Sequence, residues 1–351
     1  MSVSNVKRQQ IISELINEIG KDIYDKSFSV YNFAQSHELT VQSVYRYLKK
    51  LEEESKIQKS KDGKGYVYRL INTVSHFSYP VDNLSEDDVW NKSIRAIVDD
   101  LSETAGRNAY YAFSEILNNA IDHSEGSKVD IYIRSNSFSV SFLIIDDGVG
   151  IFAKIASALE LSEKRFAILE LAKGKFTTAP DSHSGEGIFF SSKISDVFCI
   201  FSDNLVFSAL NLNEYEDERI RDFILSGQTG TMVFIEIFRN HKTPSSEIFD
   251  RYTQDPDEYG FTKTIVPVRL LEYGDSNPMF VSRSQAKRLL VRFERFERIE
   301  LDFEGIDEIG QGFADEVFRV FQNQHPDSKI VAINCNQQVK KMIKRTGGDI
   351  A

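Results

Sequence analysis

The feature that most constrains the fold is an apolar run that ends in an acidic, glycine-rich turn, SVSFLIIDDGVGI. The apolar and β-branched half of this run predicts a buried strand over residues 139–145. Asp146, placed at the end of that strand, is suited to accept a hydrogen bond from the amino group of adenine. Gly148 and Gly150 allow the backbone to approach a ligand without a side-chain clash. The turn therefore predicts a ligand-contacting edge of a sheet.

Three further segments carry residue types suited to the rest of a nucleotide. In FSEILNNAIDHS, Glu115 and Asn119 are four residues apart and share one helix face, where their oxygens can hold a hydrated Mg²⁺. In SGEGIFF, Gly185 and Gly187 open a helix, whose N-terminal amides favour phosphate. In TGTMVFIEI, the hydroxyl of Thr231 precedes a strand and is placed to bond a ring nitrogen of the base.

In this order and spacing, the segments resemble the boxes of the GHKL superfamily of ATPases (gyrase, chaperone, histidine kinase and MutL). EILNNAID is similar to the N box, DDGVG to the first glycine box and SGEGIFF to the second. KFTT is similar to the Phe box of histidine kinases, whereas TGTMVFIEI is closer to the gyrase version. The resemblance covers about residues 95–240. It implies an α/β-sandwich of the Bergerat type, with ATP and Mg²⁺ as cofactors.

The resemblance also implies roles for individual residues. Asn119 would coordinate Mg²⁺, and Asp146, supported by Thr231, would recognise adenine. Close contact with the nucleotide would fall to Gly148, Gly150, Gly185 and Gly187. Glu115 would be the general base, on water in an ATPase or on the acceptor in a kinase; its alternative role is to order the waters of the magnesium ion. Residues 152–184 would form a mobile lid over the phosphates.

Residues 1–75 predict three helices followed by a β-hairpin. Ser29 and Thr40 are suited to cap the second and third helices, and Asp62-Gly63-Lys64-Gly65 is suited to the turn of the hairpin. This order resembles the winged helix-turn-helix family, which implies that the third helix enters the major groove of DNA. The side chains that would meet DNA are Gln42, Ser43, Arg46, Lys49 and Lys50 on the helix and Lys59, Lys61 and Lys64 on the hairpin.

The charge distribution favours DNA as the partner of this N-terminal head. Residues 1–75 hold twelve Lys and Arg against nine Asp and Glu, which gives +3, whereas the whole chain carries −11 and its remainder therefore −14. The basic residues also gather on the two elements that would touch DNA. The alternative is a protein-docking module whose lysines are merely solvated.

Residues 262–351 alternate predicted strands and helices, as in a small sheet built from β-α-β units. The run LDFEGIDEIGQGFADEVF resembles the STAS domain of anti-sigma-factor antagonists, and more specifically a STAS-like domain of unknown function found fused to such ATPases. In the antagonists a serine at the helix-opening turn receives phosphate. Here that position is Gln311, between Gly310 and Gly312, so the phosphorylation switch is not implied. We expect a domain that docks a protein partner.

The sequence thus predicts a multidomain α+β chain. Its parts are a winged-helix head (1–75), a polar linker (76–95), a GHKL-type ATP-binding domain (96–245) and a STAS-like domain (262–351). No stretch of eighteen apolar residues predicts a membrane span. The two cysteines, Cys199 and Cys335, lie far apart in apolar runs, which is typical of a reducing cytoplasm.

These features favour a transcriptional regulator that binds DNA and is switched by Mg-ATP, with slow hydrolysis. One alternative is an ATP-gated dimeric clamp of a defence or stress system, in which the chain would act as a homodimer. Another is a protein kinase acting on a separate partner, as anti-sigma-factor kinases do.

Overall fold

The computed structural model describes residues 3–21, 28–62, 65–176, 185–208, 229–253, 260–272 and 279–351. The chain forms two compact units. The first comprises Met1–Val149 and Ser195–Lys242, and the second comprises Gly150–Ile194 and Thr243–Ala351. The division after Val149 falls inside the acidic glycine turn. Both units mix helices and strands, as expected for a multidomain α+β chain.

The first unit begins with helices and a hairpin in the predicted order. Their bounds are α1 Val3–Lys21, α2 Val30–Ser36, α3 Val41–Glu53, β1 Ile57–Asp62 and β2 Gly65–Leu70. Both predicted caps are confirmed, because Ser29 Oγ accepts a hydrogen bond from the Asn32 amide at 3.3 Å and Thr40 Oγ1 accepts one from the Ser43 amide at 3.1 Å. The apolar faces of the helices are buried together, with Leu15, Val44, Leu48 and Leu51 at the centre.

The first unit also contains an antiparallel sheet. Its strands are β3 Thr73–Pro80, β4 Lys128–Ser135, β5 Ser139–Asp146, β6 Val197–Ser202, β7 Leu205–Ser208 and β8 Met232–Phe238. Over the described ranges they lie in the order β3-β4-β5-β8-β6-β7. Helix α6 (Glu103–His123) packs on β5 and β8. At this contact the ring centroids of Phe113 and Phe142 are 5.4 Å apart. The strand predicted over residues 139–145 is confirmed, in the interior of the sheet.

Residues 76–95 are not the linker that their polar composition predicted. β3 pairs with β4 from Thr73 opposite Ser135 to Pro80 opposite Lys128. After it come two short helices, α4 Glu86–Val89 and α5 Arg95–Val98, joined by a π-helical turn that buries Trp90. The prediction failed because β3 is an edge strand whose side chains alternate between exposed and half-buried, so its sequence is polar.

The head and the sheet share one hydrophobic core. Phe138 and Phe238 of the sheet pack into the core formed by α1–α3 and the hairpin. A Cβ added to Gly20 would lie 2.3 Å from the Phe138 ring, so α1 rests directly on that ring. Near residue 75 the chain changes from the helices and hairpin of the head to the strands of the sheet. Because these parts share a core, the head is not a separate domain.

The second unit is built around a parallel sheet, with strands β9 Lys263–Pro267, β10 Arg298–Asp302, β11 Lys329–Ile333 and β12 Asp349–Ile350. Where the chain is described, their order is β12-β11-β10-β9, and each pair is parallel. The alternation of strand and helix predicted for residues 262–351 is confirmed, because helices connect the parallel strands.

The helices of this unit are α7 Ile151–Ala158, α8 Phe166–Lys173, α9 Gly187–Ile194, α10 Ser245–Asp250, α11 Arg283–Leu290, α12 Gln311–Asp315, α13 Gln322–Gln324 and α14 Gln337–Thr346. A 3₁₀ turn, Val268–Glu272, follows β9, and a π-helical segment, Glu316–Phe321, joins α12 to α13. Every helix in the described ranges of the chain is too short or too polar to be a membrane span.

Helix α11 ends earlier than the apolar spacing of its sequence indicates. Ser282 caps it and forms a capping box with Gln285, whose amide donates to Ser282 Oγ at 3.2 Å. The helical pattern in the sequence continues through Phe293, yet the helix stops at Leu290. Arg292 adopts a left-handed conformation, with φ of 64°, and its side chain is buried. This early end of the helix places the charged side chain of Arg292 in the core of the second unit.

Candidate functional site

Asp146 is the last residue of β5 and lies where β4, β5 and β8 meet. Its Oδ1 accepts hydrogen bonds from the backbone amides of Gly148 at 3.0 Å and Thr231 at 3.2 Å. Burial raises the pKa of this carboxyl to about 6, against the opposing effect of these hydrogen bonds and one from the Thr231 hydroxyl. A carboxylate offers about four lone-pair positions. It therefore retains capacity for a donor from a ligand.

Glycine is required on both sides of this carboxylate. A Cβ on Gly148 would fall 2.0 Å from the carbonyl oxygen of Ser124. Gly230 has φ of 107°, and its Cβ would fall 2.1 Å from the carbonyl oxygen of Asp146. These close approaches bring the start of β8 and the end of α6 against the acidic turn. We refer to Asp146, Gly148, Gly230 and Thr231 as the Asp146 site.

Asp147, the second carboxylate of the turn, accepts hydrogen bonds from other residues of the protein. Its Oδ1 accepts from the amides of Ser127 at 2.7 Å and Lys128 at 2.9 Å, and its Oδ2 accepts from the Ser127 hydroxyl at 2.7 Å. Although burial acts to raise the pKa of Asp147, these hydrogen bonds lower it below its usual value. The two adjacent aspartates thus have different environments, because Asp147 binds the residues at the start of β4 while Asp146 is buried at the end of β5.

The predicted magnesium residues lie on α6, in the same unit as the Asp146 site. Asn119 and Glu115 are both half-buried, and the Asn119 amide nitrogen donates to the carbonyl oxygen of Glu115 at 2.5 Å. This bond fixes the carboxamide and leaves its oxygen as the end suited to a cation. Among the described residues, no group of three or more His, Cys, Asp or Glu side chains is placed to hold a metal. Carboxylate and carboxamide oxygens are donor types that Mg²⁺ takes alongside waters.

The end of α6 is held against the acidic turn by backbone contacts. Ser124, directly after α6, accepts a hydrogen bond from the Val149 amide at 2.9 Å through its carbonyl oxygen. Gly126 approaches Asp147 so closely that a Cβ there would lie 2.5 Å from the carboxylate. The segment between α6 and β4 therefore fixes the acidic turn relative to the helix that carries Asn119.

The remaining predicted glycines belong to the second unit. Gly150 has φ of 85° and precedes α7. Gly185 has φ of 73°, and a Cβ there would lie 2.4 Å from the Phe176 carbonyl oxygen. The Phe176 amide donates to the Gly185 carbonyl oxygen at 3.2 Å. Gly187 is the first residue of α9, as predicted.

The segment predicted to be a lid, residues 152–184, is not an open loop in its described part. It contains α7 and α8, and each of the eight residues of α8 is buried. FAILELAK is apolar around most of its circumference, which is typical of a core helix. Residues 177–184 lie outside the described ranges.

The predicted DNA-binding residues are distributed over α3 and the hairpin. Gln42, Arg46 and Lys49 are exposed on α3, and Ser43 and Lys50 are half-buried there. Lys49 and Lys50 pair with Glu53 and Glu54 one turn later, at 3.8 and 3.3 Å. Lys59 and Lys61 are exposed on β1, whereas Lys64 lies outside the described residues.

Three exposed tyrosines of the head were missed by the sequence analysis, namely Tyr31, Tyr45 and Tyr66. The Lys59 ammonium lies 4.0 Å from the centroid of the Tyr66 ring. The sequence positions of two of them could have indicated their exposure, since Tyr45 falls on the outward face of α3 and Tyr66 lies beside the hairpin turn.

The helix-opening turn of the STAS-like region has the predicted form. Gln311 is exposed and begins α12, and the Gly310 amide donates to the Phe280 carbonyl oxygen at 2.7 Å. A Cβ on Gly310 would lie 2.8 Å from the Cα of Val281, so glycine is required at this position.

Comparison with known families matches residues 285–340 to the STAS-like domain of unknown function (DUF4325). The match covers most of α11, then β10, α12, α13 and β11, and the start of α14. It confirms the STAS-like domain that the sequence predicted for the C-terminal region. No curated protein matches the sequence significantly.

Proposed function

We propose that this chain is an ATP-binding regulatory protein, built on a GHKL-type domain of the Bergerat fold. The observation that carries the proposal is the Asp146 site. A buried carboxylate at a strand end, oriented by two backbone amides and bordered by glycines, is suited to accept the amino group of adenine. Asp147 provides an internal contrast, since both of its oxygens accept hydrogen bonds from Ser127 or Lys128. At Asp146 the two backbone amides both bind Oδ1.

Mg²⁺ would be held by the carboxamide oxygen of Asn119 together with the phosphates. Glu115, one turn before Asn119 on α6, is the proposed base that orients and deprotonates water. Magnesium would neutralise charge on the transferred phosphate. Close contact with the nucleotide is assigned to Gly148, Gly150, Gly185 and Gly187 by the resemblance in sequence, with Gly185 and Gly187 near the phosphates. The first turn of α9 is suited to that role, because backbone amides at a helix N-terminus favour anions.

DNA is the proposed partner of the head, as a winged helix-turn-helix module. Support comes from the exposed Gln42, Arg46 and Lys49 of α3 and the exposed Lys59 and Lys61 of β1. Exposed tyrosines beside these residues add aromatic surface that is apolar enough to contact sugars and bases. The STAS-like domain is the proposed docking site for a protein partner. Together these parts describe a regulator that responds to ATP.

The experiment that tests this proposal follows the γ-phosphate of labelled Mg-ATP incubated with the purified full chain. Release of free phosphate that is lost in Glu115→Ala and in Asn119→Ala indicates a hydrolysing switch. Asp122→Asn is the matched control, because Asp122 is an exposed carboxylate on the same helix and should leave the rate unchanged.

Other outcomes separate the alternatives. Transfer of label to an added protein supports a kinase, and ATP-dependent dimerisation without DNA binding supports a clamp. Failure to bind ATP at all contradicts the proposal.

A further inference from the structure

A buried charge network connects α8 to the STAS-like domain within the second unit. Lys173 is fully buried, and its Nζ donates to Glu170 Oε1 at 2.6 Å and to the Val291 carbonyl oxygen at 2.8 Å. Glu170 Oε2 accepts from Arg292 Nη1 at 3.1 Å. Burial lowers the pKa of Lys173 to about 8, and the charge of Glu170 opposes that shift. The network therefore holds two cations and one carboxylate away from water.

The second terminal nitrogen of Arg292 binds the chain just before the second glycine box. Its Nη2 donates to the carbonyl oxygens of Gly174 at 3.0 Å and Lys175 at 2.5 Å. Its guanidinium carbon also lies 5.4 Å from the centroid of the Phe176 ring. One side chain thus fixes three consecutive residues, 174–176.

Two of these three residues, Gly174 and Phe176, contact the glycine box or the helix after it. The Phe176 amide donates to the Gly185 carbonyl oxygen, and the Phe176 carbonyl oxygen fills the space where Gly185 lacks a side chain. Gly174 has φ of 80°, and a Cβ there would lie 3.0 Å from the ring of Phe189 in α9. Both the start of the glycine box and the helix after it therefore rest on the segment that Arg292 binds.

We propose that Arg292, a residue of the matched STAS-like domain, is the positioning residue of the Gly185–Gly187 loop and hence of the phosphates of a bound nucleotide. This inference rests on the proposed ATP binding. It assigns the STAS-like domain a part in nucleotide affinity besides docking. A protein partner that displaces Arg292 would lower the affinity for Mg-ATP. Bound Mg-ATP would then lower the affinity for that partner by the same factor.

Arginine is suited to this position because its planar guanidinium carries two terminal nitrogens that donate in fixed directions. Two nitrogens point at Glu170 and at two carbonyl oxygens simultaneously, which a lysine ammonium cannot reproduce in the same geometry. The left-handed backbone of Arg292 is uncommon for a residue other than glycine.

The test compares Mg-ATP with adenosine, which lacks phosphates, as ligands of the full chain and of Arg292→Lys. Arg319→Lys is the matched control, because Arg319 is an exposed arginine of the same domain that pairs with Asp315. We expect Arg292→Lys to weaken Mg-ATP binding by about 5- to 150-fold. Adenosine binding should not change, since the Asp146 site is intact, and Arg319→Lys should bind both ligands like the unchanged chain.

A second measurement needs no variant. Hydrogen exchange of the Phe176 amide, which is bonded to Gly185, should slow when Mg-ATP binds and not when adenosine binds. The absence of this slowing overturns the inference even if Arg292→Lys fails to fold.

The binding outcomes are distinct. Equal Mg-ATP affinity in Arg292→Lys and the unchanged chain overturns the inference alone. Equal loss of Mg-ATP and adenosine binding also overturns it, because that indicates a general structural role. If the unchanged chain binds neither ligand, the proposed function fails and this inference fails with it.

Discussion

Replacing Asp146 by Asn should reduce the affinity for Mg-ATP by about 10- to 150-fold. An asparagine can keep the two backbone hydrogen bonds, from Gly148 and Thr231, by placing its carbonyl oxygen where Oδ1 lies. Its NH₂ group then replaces the other oxygen and presents a donor to the amino group of adenine, which is also a donor. The loss is that of a hydrogen bond to a charged group, about 1.5–3 kcal/mol, which corresponds to the stated range.

The same residue gives the binding a pH signature. Burial raises the pKa of Asp146 to about 6, so the carboxylate is ionised above that pH and protonated below it. A ligand donor that needs the anion binds the ionised form. Affinity for Mg-ATP should therefore fall as the pH drops through about 6. In Asp146→Asn this group does not titrate, and the affinity should stay low and flat over the same interval.

The assay is calorimetric titration of the full chain with Mg-ATP, alongside thermal unfolding to check that each variant is folded. Asp147→Asn is the matched control, because Asp147 is the adjacent carboxylate and its oxygens accept from Ser127 and Lys128. It should lower stability slightly and leave the affinity for Mg-ATP unchanged. Equal losses in both variants, or no loss in Asp146→Asn, would refute the assignment of adenine recognition to Asp146.

Three further predictions concern other parts of the chain. Gly148→Ala should destabilise the protein by about 1–3 kcal/mol or more in urea unfolding, because its Cβ would meet a backbone carbonyl at 2.0 Å. Gly305→Ala, at φ of 74° with open space around it, should cost only about 1–2 kcal/mol, and the reverse order would contradict the packing argument. Lys173 should make stability rise with pH between 8 and 10.5, because its lowered folded-state pKa means that the unfolded chain binds more protons there. Lys173→Met should remove this part of the slope, and an unchanged slope would show that Lys173 is not its source. In fluorescence anisotropy titrations, Lys61→Ala should reduce the salt dependence of DNA binding by the equivalent of about one phosphate contact. Lys287→Ala, at an exposed lysine of the STAS-like domain, is the control. Equal effects of the two lysine variants would contradict the assignment of DNA to the head.

Much of the local structure could be predicted because it follows from short-range patterns. The apolar run before Asp146 predicted β5, and the hydroxyl residues Ser29 and Thr40 predicted the starts of α2 and α3. Gly187 was predicted to open a helix and does so. In each case the determining residues lie within a few positions of the element that they define.

The features that the sequence did not predict depend on contacts between distant residues. β3 is a strand because it pairs with β4, whose paired residues lie 48 to 62 positions later in the chain, and its own one-sided burial leaves little apolar signal. The Arg292 side chain binds the Gly174 carbonyl oxygen 118 positions away. That contact depends on the early end of α11, which the helical spacing up to Phe293 did not indicate.

Within the candidate site, sequence reasoning identified Asp146 but gave no physical reason to prefer it over Asp147. The distinction comes from hydrogen bonds made by residues 127 and 128, which lie at the start of β4, the strand that precedes β5. The nucleotide itself stays a prediction, since the structural argument concerns which groups are placed to bind it.

The central claim is tested most directly by titrating the full chain with Mg-ATP and, separately, with Mg-ITP, whose base carries an oxygen in place of the amino group of adenine. The Asp146 site predicts that Mg-ATP binds and that Mg-ITP binds about tenfold or more weakly, because the carboxylate would face an acceptor. Equal affinities for the two nucleotides, or no binding of Mg-ATP, would contradict the account.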